Sequence, residues 1–381
     1  METIIPRIIQ PPRQSFFLFG PRGTGKTTWL KVHFRDALFL DLLEADTFRS
    51  YSAHPEHLRE VMTAHPRCKT VVIDEIQRIP ELLTEVHGLI EQKKGIQFIL
   101  TGSSSRKLKR SGTDLLAGRA LHYSLHPFMA SELGKDFHLE TALRYGLVPL
   151  IVCSPDPEKV LKSYSALYLR EEVQMEGLVR NIGNFSRFLE AISFSHGAVL
   201  NVSNVARDCE VERKVVEGYI GILEDLMLAY RIPVFAKRAK RVMISHSKFY
   251  YFDAGVFRSL RPAGPLDQPE MIDGSALEGL AAQHLRAWND YQMGKNQLYF
   301  WRTPSGTEVD FVLYGKEAFW AIEVKNTRKV KSEDFNALRA FKADYPESKG
   351  YLLYRGKERF VKHGITCLPV EEFLMNLKLT G

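Results

Sequence analysis

No apolar run in this 381-residue chain is long enough to span a bilayer as a helix. Cysteine is scarce. Cys68, Cys153, Cys209 and Cys367 are scattered with no C-x-x-C pair, which argues against a disulfide framework and against a zinc site. The amino terminus, Met1-Glu2-Thr3-Ile4-Ile5-Pro6-Arg7, lacks the charged and apolar blocks of a secretory signal. A reducing cytoplasm is the expected setting, with no membrane partner. Strong charge of one sign is also lacking. The formal charge is +7, from 52 Lys and Arg against 45 Asp and Glu. That is mildly basic, short of a protein that coats nucleic acid. The length suits two or three domains better than one.

What is present is sharply local. Residues 16–28 read Phe-Phe-Leu-Phe-Gly-Pro-Arg-Gly-Thr-Gly-Lys-Thr-Thr, an apolar strand, a glycine-rich loop and a helix start. The loop fits G-x-x-x-x-G-K-[ST], which cradles phosphates on backbone N–H groups beside a helix N-terminus. Gly20, Pro21, Arg22, Gly23, Thr24, Gly25, Lys26, Thr27 and Thr28 are the expected nucleotide contacts. Lys26 would reach the β- and γ-phosphates, and the Thr27 hydroxyl would ligate Mg²⁺. A second apolar run, Val71-Val72-Ile73, ends in Asp74-Glu75. Asp74 is expected to hold Mg²⁺, and Glu75 to orient or deprotonate the attacking water.

Four short apolar runs, at 16–19, 37–40, 71–73 and 98–100, alternate with helical or polar stretches. Alternation of this kind makes a parallel sheet covered on both faces, with ligands at the strand carboxyl ends. The fourth run enters Thr101-Gly102-Ser103, where Ser103 is either a γ-phosphate sensor or part of a glycine-serine turn. Arg119, after Gly118, is a candidate to stabilise phosphoryl charge, from its own subunit or a neighbour, or else a surface arginine. Arg106 is a weaker candidate for the same role.

A break at Ser154-Pro155-Asp156-Pro157 separates residues 1–154 from a helical region at 155–265. Within it, helix, turn, helix and two strands joined by the basic run Lys237-Arg238-Ala239-Lys240-Arg241 describe a winged helix. Glu210, Glu212 and Glu217 on its second helix would repel DNA phosphates, so the basic hairpin is the better contact candidate, and a purely structural winged helix used for subunit or domain packing is the alternative. Residues 261–269, rich in proline, are expected to be an irregular linker.

The last region, 266–381, opens with a helix from Ser275 to about Asn289, with Glu278 at the margin of its apolar stripe. Strands follow over 297–302, 307–313 and 319–325. Strand period two puts Glu323 and Lys325 on one face, within reach of Asp310 on the neighbouring strand. This is the D…E-x-K order of a PD-(D/E)-x-K nuclease fold, in which carboxylates hold Mg²⁺ and lysine assists the attacking water. Glu278, Asp310 and Glu323 are the expected metal ligands, and Asp310, Glu323 and Lys325 the expected catalytic set. The same order also suits a scaffold that kept the fold and does no chemistry.

Together these motifs resemble a family of prokaryotic AAA-type ATPases close to the archaeal-type ATPases. The resemblance is carried by residues 20–27, VVIDEIQ at 71–77, LTGS at 100–103, LAGR at 116–119, SKFYYFDAGV at 247–256, TEVDFVL at 307–313 and IEVK at 322–325. One departure is Tyr145-Gly146-Leu147-Val148-Pro149, where relatives often show Gly-Gly-x-Pro. The resemblance implies an α/β P-loop ATPase domain, a winged-helix domain and a nuclease-like α/β domain. It also implies ATP hydrolysis with Mg²⁺ and a homo-oligomer, up to a hexameric ring. The expected activity is that of a Mg²⁺-dependent ATPase acting on DNA. The alternatives are an ATP-regulated switch for a protein partner and an ATPase-gated DNA endonuclease.

Overall fold

The run Phe16–Phe19 (β1) is buried at all four positions, as the centre of a sheet covered on both faces requires. In the computed structural model, which describes residues 4–102, 116, 118–168, 173, 181–236, 246–265 and 267–379, it lies inside a five-stranded sheet. After β1 come the helix Lys26–His33 (α1), the strand Leu38–Asp41 (β2) and the helices Ala45–Ala53 (α2) and His57–Ala64 (α3). The strand Thr70–Asp74 (β3), helix Leu82–Glu91 (α4), and strands Gln97–Gly102 (β4) and Leu121–Ser124 (β5) complete the unit. The order is β2-β3-β4-β1-β5, and every pairing is parallel. The carboxyl ends of β1 and β3 therefore reach the same edge, with β4 between them. A core of Phe17, Leu40, Leu58, Ile73, Leu83, Val86 and Leu100 packs one face of this sheet.

Two compact units emerge, one of residues 7–126 with 225–227, the other within 1–6, 127–224 and 228–381. In the larger unit, short helices at Ala130–Leu133, Leu139–Tyr145, Pro149–Val152 and Pro157–Ser163 precede the helix Ile182–Ser193 (α5). The strand Ala198–Val199 (β6), helices Val202–Asp208 (α6) and Arg213–Asp225 (α7), and strands Ala229–Ile232 (β7) and Lys248–Tyr251 (β8) follow. They make an antiparallel sheet of order β6-β8-β7. The basic run 237–241 between β7 and β8 lies outside the described residues.

Next come the helices Ala254–Leu260 (α8) and Pro269–Tyr291 (α9), then the strands Asn296–Arg302 (β9), Glu308–Gly315 (β10) and Phe319–Lys325 (β11). The helix Asn336–Asp344 (α10), strands Lys349–Tyr354 (β12), Phe360–Lys362 (β13) and Ile365–Pro369 (β14), and helix Val370–Met375 (α11) complete the chain. The six-stranded sheet is mixed, in the order β13-β14-β12-β11-β10-β9. The β9-β10-β11 meander is antiparallel, whereas β11-β12-β14 is parallel and crosses over through α10.

One expectation shifts. The linker expected over 261–269 ends in a helix, because Pro269 fits the first turn, where no N–H is needed. The middle and last regions fall within one compact unit. Phe235 enters the six-stranded sheet beside Trp301 and Phe341, its N–H donating to Phe300 O at 2.6 Å. One buried aromatic ring thus binds the segment after β7 to the core of the last domain.

Candidate nucleotide site and an internal lysine cluster

The loop between β1 and α1 lies at the carboxyl edge of the parallel sheet. A Cβ on Gly20 would come within 2.4 Å of the Leu125 carbonyl, so only glycine lets the loop pass the end of β5 so closely. Gly25 caps α1 with φ 85° and no side-chain acceptor, leaving the first helical N–H groups directed into the loop. Lys26 is buried, and its Nζ donates to Gly20 O at 2.8 Å and Pro21 O at 3.3 Å. The ammonium thus sits inside the loop it would share with phosphate.

Asp74 joins the loop to the acidic strand end. Thr27 Oγ1 donates to Asp74 Oδ2 at 2.6 Å, and Thr101 Oγ1 donates to Asp74 Oδ1. A hydroxyl and a carboxylate meeting at one point are the hard oxygen donors that Mg²⁺ of a nucleotide complex takes. Thr101 also accepts the Glu75 N–H at 3.2 Å, so one β4 side chain ties both acidic residues in place. Glu75 itself has a left-handed backbone, φ 61°, a strained conformation of the kind that collects at functional sites. Gln77 Nε2 donates to Glu75 Oε2 at 2.5 Å and restricts the carboxylate.

Arg119 is placed elsewhere. It precedes β5, which runs parallel to β1, so it lies at the amino edge of the sheet, opposite the loop. There its Nε meets Glu91 Oε1 at 2.5 Å, and burial is slight on both sides. In its own subunit it does not face the phosphate loop. Ser103 and Arg106 lie outside the described residues.

The last region brings Glu278, Asp310, Glu323 and Lys325 together, with an addition from β8. Lys248, 1% exposed, sends its Nζ to Glu278 Oε1 at 2.9 Å, Glu308 Oε1 at 2.5 Å and Asp310 Oδ1 at 3.5 Å. Tyr250 OH also donates to Glu278 Oε1, at 2.6 Å, and the Val324 N–H to Asp310 Oδ2 at 2.8 Å. Burial opposes the Lys248 charge, but Glu278, Asp310 and Glu308 outweigh it and raise its pKa. Burial pushes the Glu278 and Glu323 carboxyls well above the usual carboxylate range. Lys325 pairs with Glu323 Oε1 at 2.7 Å, while Glu323 Oε2 is buried with no hydrogen-bond partner among the described residues. The expected Mg²⁺ ligands Glu278 and Asp310 therefore converge on an ammonium. Among the described residues no group of three or more acidic, histidine or cysteine side chains is arranged to hold a metal ion. As they stand, these residues do not fit a resident divalent cation.

The model of a family described as an AAA domain matches residues 12–134. The first third is an AAA-type ATPase domain. Families described as Domain of unknown function (DUF8612) and Domain of unknown function (DUF4143) match residues 136–267 and 273–373. The chain is 24% identical over 366 residues to Uncharacterized protein Rv2008c of Mycobacterium tuberculosis, covering 94% of this chain and 80% of that one. It is 22% identical over 370 residues to Uncharacterized protein MJ1544 of Methanocaldococcus jannaschii, covering 87% and 80%. Among solved structures it is similar to the replication initiator DnaA bound to AMPPCP and single-stranded DNA. That match has 16% identity and a TM-score of 0.28, and covers 56% of this chain and 82% of the other. Domain III of DnaA from Thermotoga maritima matches at 13% identity and a TM-score of 0.23, covering 44% and 80%.

Sequence reasoning overlooked two arginines of the AAA domain. Arg7 donates to Thr24 O at 3.0 Å and His126 O at 2.6 Å, clamping the loop from outside it. Arg78 donates to Leu42 O at 2.7 Å and lies over the Phe48 ring at 4.5 Å. Nothing in the local pattern marks either. Lys248 and Glu308 were also overlooked, though with a signal: period two places Lys248 with Tyr250, and Glu308 with Asp310.

Proposed function

We propose that this chain is a Mg²⁺-dependent ATPase that acts on DNA. The observation that carries the ATPase reading is the meeting of Thr27, Asp74 and Thr101 at one edge, with Lys26 in the loop and Glu75 beside them. Lys26 neutralises the β- and γ-phosphate oxygens. Thr27 and Asp74 hold the Mg²⁺ that arrives with ATP. Glu75, restrained by Gln77, orients the attacking water and accepts its proton. Arg119 is supplied to the loop of a neighbouring subunit, which makes the working form a homo-oligomer, with a hexameric ring as one such assembly.

DNA is the partner that the basic charge supports, through the runs at 106–110, 237–241 and 325–331. The order α5-β6-α6-α7-β7-β8 supports a winged helix, and the α9-β9-β10-β11-α10-β12 order supports a PD-(D/E)-x-K-like fold. Turnover of MgATP by the purified chain tests the reading, with single-stranded, duplex or branched DNA added in turn. DNA should raise the rate, and Glu75→Gln should abolish the rise. An unchanged rate with every DNA form would remove DNA from the proposal and leave the ATPase.

A specific observation favours a second reading, a switch that engages a protein partner. On α6 and α7, Arg207 pairs with Asp208 at 3.7 Å and Arg213 with Glu217 at 2.9 Å, and Arg187 of α5 reaches Glu210 in the turn between them at 3.7 Å. A surface neutralised in this way offers little to phosphates.

A further inference from the structure

We propose that the Lys248 ammonium stands permanently where a divalent cation would sit in the D…E-x-K cluster. The nuclease-like domain is then closed to metal and cuts nothing. The argument rests on donor count and placement. An ammonium has three N–H donors and no acceptor. Three carboxylates face this one, Glu278 from α9 and Glu308 and Asp310 from β10. Two of them, Glu278 and Asp310, are expected metal ligands, while the third expected ligand, Glu323 on β11, pairs with Lys325 instead. Lys248 itself comes from β8, in a different sheet, so the cation is delivered by packing and cannot leave without parting the two sheets. Its side chain is 1% exposed, and its ammonium lies 5.6 Å from the centroid of the Phe300 ring.

The cluster needs a cation to fold, since three carboxylates in a buried site repel one another. Lysine meets that need with a fixed +1 charge that chelators cannot remove. A divalent ion would bring +2 but demand about six oxygen ligands. Glu278 and Asp310 also spend lone pairs on Tyr250 OH and the Val324 N–H. The Glu323–Lys325 pair stays at the side of the cluster, holding its own charge balance. The inference concerns the larger unit alone and stands whether or not the chain hydrolyses ATP.

Manganese binding to the full chain, read by electron paramagnetic resonance without nucleotide, tests this. Wild type should bind no Mn²⁺ that Asp310→Asn abolishes, and should leave DNA uncut with Mg²⁺ or Mn²⁺. Lys248→Met, which keeps the stem and removes the charge, should gain about one Mn²⁺ per chain. The double variant with Asp310→Asn should lose it at least tenfold. Mn²⁺ should also raise the melting temperature of Lys248→Met and leave that of wild type unchanged. Asp310-dependent Mn²⁺ binding by wild type, metal-dependent cutting by wild type, or a folded Lys248→Met that takes no Mn²⁺ would each overturn the proposal. If Lys248→Met does not fold, the two wild-type measurements decide it.

Discussion

Thr27 Oγ1 and Asp74 Oδ2 lie 2.6 Å apart across 47 residues of sequence. The contact joins the end of the phosphate loop to the end of β3, two strands away in the sheet. A hydrogen bond to a charged group contributes about 1.5–3 kcal/mol, roughly 10–100-fold. Thr27→Ala and Asp74→Asn should therefore each raise the Mg²⁺ concentration for half-maximal ATP turnover by at least about tenfold. A Mg²⁺ titration of turnover checks this.

Lys26→Ala should abolish ATP binding in calorimetry, since the phosphates lose the cation that lies within the loop. Glu75→Gln should instead bind ATP normally and hydrolyse it ~10²–10⁴-fold more slowly. Gln77→Ala should show the same pattern, weaker, because it only restrains the carboxylate. Parent-rate turnover by Glu75→Gln would remove Glu75 from the mechanism.

Arg119 pairs with Glu91 on an exposed edge, so Arg119→Ala should fold and melt like the parent. If the guanidinium serves a neighbour, turnover should fall by ~10³ or more. Mixing Arg119→Ala with Lys26→Ala chains should restore part of it, because each supplies what the other lacks. No recovery in the mixture would remove the trans role.

His284 ties the start of the larger unit to α9. Its Nε2 accepts the Ala130 N–H at 2.9 Å, and its Nδ1 donates to Leu280 O at 2.8 Å. Both nitrogens are committed to the neutral tautomer, and burial lowers its pKa to about 4. An unfolded histidine titrates near 6.5, so the unfolded chain binds more protons between these values. The stabilisation is complete above about pH 6.5 and is lost as pH falls toward 4, at up to about tenfold in the folding constant per pH unit. The slope of stability against pH in this window should be shallower in His284→Gln. Denaturant unfolding at pH 7.5, 6 and 5 measures it.

Gly146 has φ 76°, and a Cβ there would lie 1.9 Å from Asp253 Oδ1. Asp253 is buried. It caps α8 through the Gly255 and Val256 N–H groups and accepts the Leu147 N–H at 2.7 Å. Gly146→Ala should cost about 3 kcal/mol through backbone strain and a displaced cap, with ATP binding unaffected. A drop in melting temperature with unchanged nucleotide affinity is the expected result.

The nucleotide loop was legible because its chemistry is consecutive. Residues 20–28 supply the turn, the cation and the hydroxyl, and the flanking strand and helix announce themselves by apolar run and N-terminal placement. Asp74 and Glu75 were legible for the same reason, as an acidic pair at the end of a buried strand. The D…E-x-K order could be read from strand period, and the helix carrying Glu278 from its apolar stripe, though Pro269 begins it earlier than the proline content suggested.

By itself, then, the chain's order of residues determined the parallel strand–helix unit and the phosphate-binding loop, since backbone conformation and a few adjacent side chains suffice there. Only the tertiary structure decided which cation the acidic cluster holds. Lys248, Glu278, Glu308 and Asp310 come from three separate elements, and no local pattern encodes that convergence. The same holds for the Arg7 clamp on the loop and for the place of Arg119 at the opposite edge. A charge reads the same in any sequence; its partners are set by packing.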